Sequence, residues 1–88
     1  MLSGLSEHII EQAILKMATN RGVDKTICPS EVAREIFDDN WRNQMDNIRN
    51  VAFELEKAGK IDIMQKGQKI NPNHIIGPIR IRIRLNND

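Results

Sequence analysis

From Trp41 to Leu55, the apolar residues Trp41, Met45, Ile48, Ala52 and Leu55 recur at alternating spacings of four and three. Such spacing stacks them on one face of an α-helix, which completes a turn every 3.6 residues. Val51 and Ala58 widen that stripe, while Asn43, Asp46, Asn47, Asn50, Glu54 and Lys57 fall on the opposite side. Asp39 or Asn40 is placed to cap the start, and Gly59 to end the helix at Lys60 in a left-handed conformation. Beyond Gly59 the period changes. Ile79, Ile81, Ile83 and Leu85 alternate with Arg80, Arg82 and Arg84, the pattern of a strand with one face on a core and the other turned out. A one-sided helix and a one-sided ribbon each need an apolar surface to cover them, so the two must share a core.

The residues ahead of this helix supply the rest of that core. Ser6 is placed to cap a first helix, with Ile10, Ala13, Ile14 and Met17 on one face until Asn20, Arg21 and Gly22 end it. Thr26 and Ile27 are enough for one short edge strand. Pro29 suits the first position of a second helix, with Glu31 in its first turn and Val32, Ala33, Ile36 and Phe37 on its apolar side. Asp38, Asp39 and Asn40 then break the chain before the long helix. Two helices joined so tightly form a helix-turn-helix whose second member is the longer and more polar, as a recognition helix is. Ile61, Ile63 and Met64 make a strand, joined to the arginine-rich one by a connection from Lys66 to Pro78 that is long for a hairpin. The order predicts one α+β domain over residues 1–88, mainly helical: a winged helix-turn-helix of three helices with a two- or three-stranded antiparallel wing sheet.

With the elements placed, the chain resembles a small bacterial winged-helix domain family of unknown function. The resemblance rests on ICPSEVAREI (27–36), Trp41-Arg42, LEKAGKIDIMQKG (55–67) and GPIRIRIRL (77–85), and covers about residues 5–85. It implies a fold, and no activity or binding residue comes with it.

Charge and composition narrow the function. The formal net charge is only +1, but residues 1–56 hold six Lys/Arg against ten Asp/Glu, and residues 57–88 hold seven against two. An acidic helical part thus adjoins a basic ribbon, an asymmetry suited to an anionic partner on one side. No apolar run is long enough to cross a membrane, and the N-terminus lacks the basic, apolar and cleavage regions of a signal peptide. The single Cys28 excludes an internal disulfide and fits a reducing compartment, so the expected location is the cytoplasm. His8 and His74 have no Cys, His or Asp at metal spacing, and no phosphate loop, carboxylate pair or Ser-His-Asp order is present. The chain is expected to be no enzyme, with no metal, cofactor or small-molecule ligand.

The residues that fit nucleic acid lie in two places. Arg42, Asn43, Asn47 and Asn50 on the polar side of the third helix carry the groups that pair with base edges in a major groove. Lys66, Gln68 and Lys69 lie at the wing tip, where lysines contribute affinity through phosphate. Against this, Asp46 and Glu54 on the same helix repel phosphate. The expected function is double-stranded DNA binding in a regulatory role; the alternative is a protein-interaction module of the same fold, acting as a homodimer or on another protein. Phe53, off the apolar stripe, either packs beneath the long loop or belongs to such an interface. Arg80, Arg82 and Arg84 are either a phosphate-attracting stripe or outward charges that guard a sheet edge. Cys28, ahead of a helix N-terminus, is either a reactive thiol or a small capping residue.

Overall fold

The computed structural model describes residues 4–70 and 77–84. Helix α1 spans Gly4–Arg21, α2 Pro29–Ile36 and α3 Met45–Lys57, and a 3-10 turn, Trp41–Gln44, leads into α3. Strand β1 spans Ile61–Gln65, β2 Gln68–Lys69 and β3 Arg80–Ile83. They form one antiparallel sheet in the order β2-β1-β3. Three helices against a three-stranded antiparallel sheet make this an α+β fold of winged-helix type.

The core is where the apolar periodicities meet. Ile10, Ile14 and Ala18 come from α1, Val32 and Ala33 from α2, and Ile48, Val51, Ala52 and Leu55 from α3. The sheet adds Ile61, Ile63, Ile79, Ile81 and Ile83 from its inner side. Each isoleucine taken fully from water contributes about 1.5–3 kcal/mol before entropy is counted, so this cluster supplies the main driving force for folding.

Local chemistry sets the element ends. Pro29 opens α2, and the Glu31 carboxylate accepts the Cys28 N–H at 3.2 Å, which satisfies a donor at the helix start. At the other end of α3, Gly59 takes φ 78°. The Gly59 and Lys60 N–H groups donate to the Glu56 and Leu55 carbonyls, both at 3.0 Å, closing the helix in a Schellman arrangement.

Several expectations change in detail. Ser6 lies inside α1, which already runs from Gly4. The third helix is not α-helical from Trp41: its first four residues are wound as the 3-10 turn, with the Asn43 N–H bonded to the Asn40 carbonyl. Thr26 and Ile27 make a single bridge, Ile27 to Ile81, with both N–H···O bonds at 2.8 Å. The connection after β1 is not one long loop. Lys66 and Gly67 take φ 52° and 79° and close a two-residue turn that brings Gln65 opposite Gln68. Leu85 and His74 lie outside the described residues.

Candidate nucleic-acid interface

The tight α2–α3 junction creates an aromatic-cation stack. Ending α2 at Ile36 leaves Arg34 in its last turn, and the 3-10 turn swings Trp41 and Arg42 toward it. The Arg34 guanidinium lies 4.6 Å from the Trp41 ring centroid, and the Arg42 guanidinium 4.5 Å. Trp41 is half-buried on the edge of the core, and both arginines are exposed. Stacking on a ring costs a guanidinium none of its N–H donors, while restricting where the planar fork can point.

Along α3, Asn43 and Asn50 are exposed and Asn47 is half-buried. Two of these amides are held by neighbours: Asn43 Nδ2 donates to Asn40 Oδ1 at 2.6 Å, and Asn47 Nδ2 to Gln44 Oε1 at 2.9 Å. Each keeps its oxygen and one N–H, so it can still pair with a base edge, in the orientation that its neighbour sets. Asp46 and Glu54 are exposed on this helix, and Lys57 lies 3.8 Å from the Glu54 carboxylate. Arg49 is aimed elsewhere, its guanidinium 3.4 Å from the Gly77 carbonyl at the entry to the last strand.

The wing residues separate. Lys66 and Gln68 are exposed at and beside the turn. Lys69 is drawn away from the tip: its Nζ lies 3.4 Å from an Asp62 carboxylate oxygen. Asp62 faces out from the sheet yet is buried, roofed by Arg82 of β3 and by Arg84 just beyond it. Arg82 Nη2 and Arg84 Nε each donate to the Asp62 carboxylate at 2.9 Å, and Arg84 Nη2 adds a third bond. Burial pulls the Asp62 pKa upward, but the hydrogen bonds from Arg82 and Arg84 and the charges of Arg84 and Lys69 hold it at about 2.

Arg80 completes the row. Its Nε donates to Thr26 Oγ1 at 2.8 Å, and its Nη1 lies 2.6 Å from Cys28 Sγ. The three strand arginines are therefore half-buried and engaged with the protein rather than standing free along an edge. Cys28 is the residue ahead of α2, half-buried against Arg80. Nearby, Arg21 pairs with Glu31. Burial raises the Glu31 carboxyl, but the Cys28 N–H and Arg21 outweigh it and leave its pKa below the ordinary value. Phe53 is half-buried and packed against the core.

The structure thus assembles two positively charged groups of different character. One is the Arg34–Trp41–Arg42 stack at the junction of α2 and α3, and the other is the arginine face of the sheet. Arg34 and Asp62, which organise them, are absent from the residues that periodicity singles out. Among the described residues, no three His, Cys, Asp or Glu side chains are grouped to hold a metal ion, and no helix is long and apolar enough to cross a membrane.

A family model described as "Protein of unknown function (DUF3253)" matches residues 7–84. The chain belongs to that family. The match takes in all of α2, α3 and the sheet, so the Arg34–Trp41–Arg42 stack and the Asp62 cluster both lie within the family domain. A search of curated proteins gives no match.

Proposed function

We propose that this domain of the family binds double-stranded DNA in the cytoplasm, without catalysing a reaction. The observation that carries the reading is the pair of exposed arginines stacked on Trp41 in the turn that leads into α3. In a helix-turn-helix, the first residues of the second helix reach the base edges. An oriented guanidinium there suits guanine O6 and N7 or a phosphate, both of which accept two parallel hydrogen bonds. Asn43 and Asn50 extend the same surface along the helix, and Lys66 at the turn adds a phosphate contact that carries no sequence information.

The test is fluorescence anisotropy of a labelled random-sequence duplex. For three to four phosphates neutralised, affinity should fall roughly 40- to 150-fold between about 50 and 200 mM salt. Arg34→Gln with Arg42→Gln should weaken binding at least tenfold. Trp41→Leu should weaken it several-fold while retaining both charges, because the arginines lose their platform. No binding at the lower salt, or binding indifferent to salt, sinks the reading.

The carboxylates Asp46 and Glu54, exposed on the same helix, favour a second reading: a protein-interaction surface for a homodimer or another protein. On that reading, sedimentation shows a concentration-dependent dimer, or a partner is retained, and charge reversal at Asp46 and Glu54 abolishes it. Phe53→Asp tests whether the interface extends to that side of α3.

A further inference from the structure

Ile61, Ile63, Ile81 and Ile83 turn the inner side of the sheet to the helices, and Met64 is buried on the outer side. The outer side carries Arg82, Arg84 and Lys69 around one carboxylate, Asp62, with Arg80 beside them, bonded instead to Thr26 and Cys28. Counting Arg80, the face keeps a formal charge of +3. The neighbouring Arg21–Glu31 pair adds nothing to this balance. The guanidiniums are fixed yet still reachable: the Arg82 and Arg84 side chains are 32% and 33% exposed, whereas that of Asp62 is 5% exposed. Each arginine retains N–H groups that Asp62 does not take. Arg82 gives only Nη2, and Arg84 gives Nε and Nη2, out of five donors apiece.

Asp62 acts here as an internal template. It orients two planar forks side by side, where their remaining donors can meet an oxyanion without first losing side-chain entropy. Stability alone would be served by one cation for one buried carboxylate. The excess charge is what a polyanion recognises, and the residues ahead of α3 carry the opposite sign.

We infer that the outer face of the sheet is a second phosphate-binding surface, and that its occupant is the backbone of a second DNA duplex. This rests on the proposed DNA binding by α3, from which it lies across the sheet. One domain would then hold two duplexes, one on each side. The sheet contact is with phosphate alone, so it should be insensitive to sequence.

The experiment is energy transfer between two duplexes labelled with different dyes, mixed with the intact chain at low salt. The expected result is transfer that rises with protein, passes through a maximum and falls when protein is in excess. Lys69→Glu, at a side chain 62% exposed, should reduce transfer at least fivefold while α3-dependent binding of a single duplex persists. Asp62→Asn should reduce transfer even though it makes the face more positive, because Arg82 and Arg84 lose the carboxylate that orients them. Attraction by charge alone would predict a gain, and a gain would overturn the template. The triple variant Asp62→Asn, Arg82→Gln, Arg84→Gln exchanges the ions for amides without stranding a charge, and should abolish bridging in a protein whose fold is verified by circular dichroism. Binding of one duplex with no transfer overturns the second surface and leaves the α3 reading intact. Transfer that survives Lys69→Glu and the triple variant also overturns it. If neither duplex binds, both proposals fail.

Discussion

Replacing Asp62 by Asn removes one charge from the centre of the sheet and should weaken the fold in a pH-dependent way. The carboxylate is 4% exposed and lies between Arg82 and Arg84, and its pKa is about 2 against an ordinary 3.8. Burial by itself would raise that value, so the two arginines more than offset the loss of hydration. One pKa unit corresponds to about 1.4 kcal/mol, so the ionised side chain contributes roughly 2–3 kcal/mol to folding at neutral pH. Both guanidiniums can reach water when Asp62 is gone. The loss should therefore stay below the ~3–5 kcal/mol seen when a fully buried pair is broken. The sign follows from the depressed pKa: stabilisation is complete above about pH 5, shrinks as pH falls through 4 and disappears near 2. Urea denaturation of both proteins from pH 7 to pH 2 measures it. Wild type should exceed Asp62→Asn by about 2–3 kcal/mol at pH 7, or roughly 8–20 °C in Tm, and the two should converge near pH 2. A constant difference across that range, or one below about 0.5 kcal/mol at pH 7, refutes the reasoning.

Two further substitutions test the packing and the helix end. Ile81→Ala empties a site that is 0% exposed on the inner side of the sheet, and should cost about 2–5 kcal/mol in a denaturant titration. Gly59→Ala forces an L-residue to φ 78°, although its Cβ would meet only Arg84 Nη1 at 3.5 Å. The loss should be about 1–2 kcal/mol, from the backbone rather than from a clash, and Gly59→Asn should recover part of it.

The fold was legible wherever one periodicity governed a whole element. Ile10 and Ile14, Ile48 with Ala52 and Leu55, and Ile81 with Ile83 were each expected in the core from spacing alone, and each is buried. What escaped depends on pairings distant in sequence. Asp62 reads as a lone acid between two isoleucines. It becomes the centre of a cluster only when the register sets it opposite Arg82, twenty residues on. The pairing of β1 with β2 sets Lys69 opposite Met64 and takes its ammonium to Asp62, away from the wing tip where sequence position placed it. Strand β2, two residues long, is too short to show any period. Trp41 carries the apolar spacing of α3, but spacing does not reveal that its ring also holds Arg34 across the helix junction. Cation–ring stacking depends on ring position, and composition gives no hint of it. The candidate interface was therefore half legible: Arg42, Asn43, Asn50 and Lys66 were singled out, while Arg34 and the ring contact that it shares with Arg42 were not.

The most direct test of DNA recognition by α3 is an NMR titration of the labelled domain with a short duplex at low salt. The expected result is that the first signals to move belong to the Arg34 and Arg42 side chains, the Trp41 indole N–H, and the amides of Asn43, Asn50 and Lys66. A spectrum left unchanged by excess duplex, or changes confined to α1 on the far side of the core, would contradict it.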